Sequence, residues 1–269
     1  MEENGLEIKI PKFLLSPVIW VLLGVVILGG IYIFLAKPFE FVKNQTEKPK
    51  TAIPISSSQA SSQTKTLGFF QKVSDSPVTV EKKSYFLYVG GQFCPFCAAE
   101  RWSLVKALSR FGTWSGLSSD QSSDGSVVAE PFLNIPTYNF INAKYKSDYI
   151  SFAHKETADR QGRLIKREEL TDFEKQWNDK YNPRGTVPFL FLGGKYVQVS
   201  AGYSPALLTG KNFEEVKRNI DQNNTSEAYV LAINKEADII TAYLCKATGN
   251  QPASICNKPE IATLVAQVP

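Results

Sequence analysis

Ser84-Tyr85-Phe86-Leu87-Tyr88-Val89-Gly90-Gly91-Gln92-Phe93-Cys94-Pro95-Phe96-Cys97-Ala98-Ala99-Glu100-Arg101-Trp102 is the stretch on which the reading of this chain turns. Residues 84–89 form an apolar run without polar alternation, which predicts a strand covered on both faces. Gly90-Gly91 then turns the chain. Trp102, Val105 and Leu108 recur at helical spacing, which predicts a helix from Ala98 to about Arg110, with Gly112 ending it. The order is therefore strand, Cys-x-x-Cys, helix. At such a junction the first thiol faces unpaired backbone N–H groups and the positive end of the helix dipole, which favour the thiolate. Pro95 suits a first helical turn because it has no N–H to leave unsatisfied. Cys94 is then the expected exposed nucleophile. Cys97, one turn deeper, is the expected resolving thiol that attacks a mixed disulfide.

The pair has two other readings. Half of a zinc site would need a second close pair of ligands. Cys245 and Cys256, the remaining cysteines, have ten residues between them, and the chain has a single histidine, His154. No metal site is expected. An inert structural bridge at Cys94–Cys97 is the other alternative. His154 lies in the polar segment Ala153-His154-Lys155-Glu156, is expected to be exposed, and receives no catalytic role.

Working outward, Arg184-Gly185-Thr186-Val187-Pro188-Phe189-Leu190 opens a hairpin, with Gly193-Gly194 as its turn. Thr186-Val187-Pro188 before an apolar strand resembles the cis-proline loop of the thioredoxin superfamily. The resemblance implies that this loop lies beside the Cys-x-x-Cys, that the Val187 backbone holds an extended substrate, and that Pro188 shapes the groove. Substrate contacts are thus expected at Thr186, Val187 and Pro188. More narrowly, Phe93 to Trp102, the Thr186-Val187-Pro188 loop, and Thr248-Gly249-Asn250-Gln251-Pro252-Ala253-Ser254-Ile255-Cys256 together resemble an archaeal membrane-anchored thioredoxin-like family of uncharacterised function. The implied architecture is α/β: a thioredoxin-like fold with an insertion, from Phe111 to about Lys166, between the Cys-x-x-Cys helix and the cis-proline loop.

The departures from thioredoxin proper are informative. The strand 85–89 offers no buried Asp. Glu100, one turn after Cys97, is a candidate proton relay for the resolving thiol, with an exposed or Arg-paired acid as the alternative. Phe96 replaces the His that strong disulfide donors place between the cysteines, which suggests an intermediate potential. The aromatic residues of the insertion (Trp114, Tyr138, Phe140, Tyr145, Tyr149) fit core better than a partner groove. Cys245 ends the last long helix, and Gly249 and Pro252 turn the chain back to Cys256. A loop this short is easily bridged, and closing it is worth about 3 kcal/mol in the chain-entropy picture. A structural disulfide is expected there, with a second redox pair as the alternative.

The flanks set the context. Of 269 residues 43% are hydrophobic and 21% charged, which excludes wholesale disorder. Thirty basic against 26 acidic residues, net +4, leave no concentrated basic surface, so no nucleic-acid partner is expected. Residues 13–36 carry no charge and would make about 36 Å of helix, enough to cross a hydrocarbon core of about 30 Å. A lipid-bilayer anchor is expected there, after a short cytoplasmic tail at 1–12. Residues 37–66 read as a flexible tether, twelve of the 23 residues in 44–66 being Ser, Thr or Gln. Residues 67–269 form the expected thioredoxin-like domain. Lys9 and Lys12 before the span against Lys37, Lys43, Lys48 and Lys50 after it do not favour an external C-terminus. The paired cysteines and the sequons at Asn44, Asn223 and Asn224 do. The expectation is a single-pass protein of the cell membrane with an extracellular domain.

The function expected from these features is thiol–disulfide oxidoreduction on exported or cell-surface proteins. It requires no cofactor, and its partners are protein thiols or disulfides and a membrane or extracellular redox protein. The competing class is a non-catalytic binding or assembly module whose disulfides are structural.

Overall fold

The computed structural model describes residues 66–269. Ten strands are present: β1 (Gln71–Lys72), β2 (Thr79–Val80), β3 (Lys83–Gly90), β4 (Gly112–Ser115), β5 (Ser118–Gln121), β6 (Pro136–Asn139), β7 (Lys144–Ser147), β8 (Ile150–Glu156), β9 (Phe189–Leu192) and β10 (Tyr196–Val199). The helices are α1 (Pro95–Leu108), α2 (Asp172–Tyr181), α3 (Phe213–Asp221), α4 (Ala228–Ala247), α5 (Ala253–Cys256) and α6 (Pro259–Val265).

The main sheet is mixed. β3 pairs parallel with β8, from Ser84↔Ile150 to Gly90↔Glu156, and antiparallel with β9 and β2. β9 pairs with β10 and β10 with β1, all antiparallel. Gly193 and Gly194 both take positive φ at the β9–β10 turn, the geometry a tight hairpin requires. Alternate residues of β3 enter different cores. Phe86 and Tyr88 pack with Leu104, Ala107 and Leu108 of α1 and with Ile240, Tyr243 and Leu244 of α4. Tyr85, Leu87 and Val89 pack with Phe189 and Phe191 of β9 and with Trp177 and Tyr181 of α2. Helices thus cover both faces, so the strand reads as a continuous apolar run. α2 begins with a capping box: Thr171 Oγ1 accepts the Glu174 N–H, and Glu174 Oε2 accepts the Thr171 N–H.

The architecture is mixed α/β. This replaces the expected description, a thioredoxin-like fold preceded by one transmembrane helix. Among the described residues no helix is long and apolar enough to cross a membrane. The longest, α4, has 20 residues but carries Lys235, Glu236, Asp238 and Lys246. The expected tail, span and most of the tether (1–65) lie outside the described residues. Residues 111–166 are not an insertion in the expected sense either. They supply β8, the parallel neighbour of β3, and only two small two-stranded sheets, β4–β7 and β5–β6, stand apart from the main one. Tyr149 to Phe152 reads from the sequence as a strand, and β8 runs on to Glu156 because the main-chain ladder to β3 continues through His154. His154 is therefore not exposed. It packs against Phe140 and Phe152, and burial lowers its pKa. Arg167 to Tyr181 reads from the sequence as one helix, but α2 begins only at Asp172, where the capping box sits.

Candidate functional site

β3 ends at Gly90, and α1 begins at Pro95 with Cys94 as its N-cap. The helix thus starts three residues earlier than its apolar spacing suggests, and Cys97 lies inside the first turn. The Cys94 Sγ accepts the Cys97 N–H at 3.2 Å. This is the position at which a helix stabilises an anion. Both thiols are free. Cys94 is 4% exposed and Cys97 fully buried. Their environments push them apart. A hydrogen bond from the Cys97 thiol, aided by the Cys97 backbone N–H and opposed by burial, lowers the Cys94 pKa. Burial first, then the hydrogen bond to Cys94, raises Cys97 well above the ordinary thiol value.

The Thr186-Val187-Pro188 loop meets this pair. The Cys94 Sγ lies 3.7 Å from the Val187 carbonyl oxygen, and the Val187-Pro188 bond is cis. The loop is held from both sides. Asn182, buried at the end of α2, accepts the Thr186 N–H at 3.0 Å and donates to the Thr186 carbonyl at 2.9 Å. The Pro188 carbonyl accepts the Ser200 N–H at 2.8 Å. Phe96 meets Phe132 edge-on, centroids 6.1 Å apart, beside the motif.

Beneath the thiols lies a buried charged cluster. Arg101 of α1 donates to Glu156 of β8 at 2.6 Å, and neither side chain reaches solvent. Arg101 Nε donates to Thr137 Oγ1 at 3.0 Å, and that hydroxyl donates to the Ala98 carbonyl at 2.8 Å. Arg101 Nη2 has no partner among the described residues, and the Tyr88 hydroxyl lies beside Glu156, near enough to lower its pKa though short of a full hydrogen bond. Burial raises the Glu156 pKa, against the pull of Arg101. The charges of Glu156 and Arg101 both act on Cys97, in opposite senses.

Glu100 lies elsewhere. Its Oε2 accepts the Gly202 N–H at 2.9 Å, and the charge that bears on it is that of Glu236 of α4. The acid that bears on Cys97 is Glu156. The sequence held little sign of it, because Ala153-His154-Lys155-Glu156 reads as a polar segment and only the pairing of β8 with β3 buries its end. Arg101 stood in the motif helix, but its role depends on that same strand. Asn182 follows an amphipathic helix and carried no signal of its own. Cys245 and Cys256 are joined by a disulfide at the end of α4, far along the chain from Cys94 and Cys97. Among the described residues no group of three or more His, Cys, Asp or Glu side chains could hold a metal ion.

A domain of unknown function, DUF929, is found at residues 69–185. That segment contains Cys94, Cys97, Arg101 and Glu156 and stops just short of Val187 and Pro188. No curated protein and no solved structure matches the chain.

Proposed function

We propose that this protein is a thiol–disulfide oxidoreductase acting on protein substrates through Cys94 and Cys97. The observation that carries the proposal is the Cys94 sulfur, capped by the Cys97 N–H and set 3.7 Å from the Val187 carbonyl. A thiolate at a helix N-terminus is the reactive form of cysteine. Asn182 engages both Thr186 backbone groups and Ser200 the Pro188 carbonyl, so the half-buried Val187 backbone is what the loop can offer to an extended substrate chain.

In the reducing direction, Cys94 as thiolate attacks one sulfur of a substrate disulfide. A Cys94–substrate mixed disulfide forms, and the other substrate sulfur leaves as a thiolate. Cys97 then loses its proton, and its sulfur attacks Cys94. The Cys94–Cys97 disulfide closes, the second substrate sulfur leaves, and two electrons have passed to the substrate. The reverse sequence oxidises a substrate dithiol. Cys97 needs a proton acceptor because burial holds it protonated. Glu156, buried beside Arg101 and bearing on Cys97 by its charge, is our assignment for that role, in place of Glu100. Arg101 positions the carboxylate.

Differential alkylation tests the reading. After mild reduction of the full-length protein at neutral pH, Cys94 should react with iodoacetamide at least tenfold faster than Cys97. Its rate should rise with a midpoint below that of an unperturbed cysteine. Insulin reduction with dithiothreitol as electron donor should vanish in Cys94→Ser. If both thiols stay inert and Cys94→Ser retains wild-type function, the protein is a binding module and the enzymatic reading fails.

A further inference from the structure

Two carboxyl groups are buried where α1 packs on α4. Glu100 is fully buried and Glu236 is 2% exposed. Both touch a single residue, Gly202. Its N–H donates to Glu100 Oε2 at 2.9 Å. Its Cα faces the other acid so closely that a Cβ there would stand 1.9 Å from the Glu236 carboxyl carbon. Each carboxyl has one hydrogen-bond donor: Gly202 for Glu100, and for Glu236 the Gln198 Nε2 at 3.1 Å. Glu100 Oε1 has no partner among the described residues. Neither acid belongs to an ion pair among them.

Two adjacent carboxylates at this depth would both lose hydration and repel each other, and a pair in this position relieves both costs by keeping a proton. We propose that Glu100 and Glu236 form a carboxyl pair that holds at least one proton at neutral pH, clamping α1 to α4 and to the Gly202 loop, and that loosens as pH rises. The groups facing the pair are Lys235 and Tyr243 from α4, Gln198 from β10 and Tyr203 from the loop. Of these only Lys235 carries a charge that favours ionisation, and its side chain is exposed. Burial raises both acids. For Glu100 the next cause is Glu236 itself; for Glu236, burial is opposed by Gln198 and Lys235. The sign follows: a carboxyl whose pKa is raised by folding stabilises the fold at low pH, and that stability is lost as pH rises through the folded value.

The clamp adjoins the candidate site. Glu100 is one turn beyond Cys97, and Gly202 follows Ser200, whose N–H holds the Pro188 carbonyl. Ionising the pair would therefore loosen the support of the Val187-Pro188 loop.

The test uses the full chain carrying Cys94→Ser and Cys97→Ser, so that neither thiol titrates and the result does not depend on the redox reading. Its Tm should fall by about 3 °C or more between pH 6 and pH 9. Glu236→Gln, isosteric with a protonated carboxyl, should remove most of that fall. Infrared spectra at pH 7 should contain a protonated-carboxyl band that weakens in Glu100→Gln. A flat Tm in the parent, an equally steep fall in Glu236→Gln, or no protonated-carboxyl band overturns the proposal. If a variant does not fold, the band in the parent decides.

Discussion

Arg101 and Glu156 are each fully buried, and each is the other's only charged hydrogen-bond partner. Removing one side of such a pair leaves an uncompensated buried charge, which costs about 3–5 kcal/mol, whereas replacing both with apolar side chains of similar size can be nearly neutral. Arg101→Met should therefore lower the unfolding free energy by about 3–5 kcal/mol, measured by denaturant titration. Arg101→Met with Glu156→Leu should recover most of that loss. The double variant should nonetheless slow closure of the Cys94–Cys97 disulfide in stopped-flow exchange. A variant of full stability with unchanged closure would remove Glu156 from the proton path. Neither residue announced itself in the sequence. The acid expected there was Glu100, because helical spacing puts it one turn from Cys97. Spacing along a helix does not say which neighbouring element a side chain meets. Glu100 meets Gly202 and α4, and Arg101, the next residue, meets β8.

Elements were more legible than sites, for reasons that differ from one to the next. The β9–β10 hairpin was readable from Gly193-Gly194 between two apolar runs, because a tight three-residue turn needs backbone that tolerates positive φ. β3 was readable because both its faces are covered. α2 was placed too early. Its start is set by Thr171 and Glu174, whose reciprocal hydrogen bonds satisfy the first free N–H groups, and not by the hydropathy of the residues before it. Thr171→Ala removes the side-chain cap and should cost about 1 kcal/mol in denaturant unfolding. Because α2 ends at Asn182, which fixes Thr186, the same variant should broaden the amide resonances of residues 182–187 more than those of β10. β8 was the least legible. Only its first half carries apolar residues, Ile150 and Phe152; Ala153 to Glu156 are small or polar, and they continue the strand because β3 offers a parallel edge to them.

The whole molecule contains two cysteine pairs with different surroundings. Cys245 and Cys256 are already bridged, both buried against the α4 and α6 core, with 11 residues of separation. Converting both to Ala should lower stability by about 3 kcal/mol, from the loop-closure entropy restored to the unfolded chain. The alkylation rate of Cys94 should remain that of the wild type. A changed Cys94 rate would point to a redox relay between the pairs. The Cys-x-x-Cys, the apolar strand before it, the hairpin after Pro188 and the long C-terminal helix were determined by the sequence alone, because each is a local pattern of spacing, turn residues and apolar period. Only the tertiary structure decided that Val187, 93 residues on, brings its carbonyl to Cys94, that the charge of Glu156 bears on Cys97 while Glu100 turns to Gly202, and that Glu100 and Glu236 share Gly202. Those contacts depend on strand register and on which helix covers which face of the sheet. Periodicity within a single element carries neither.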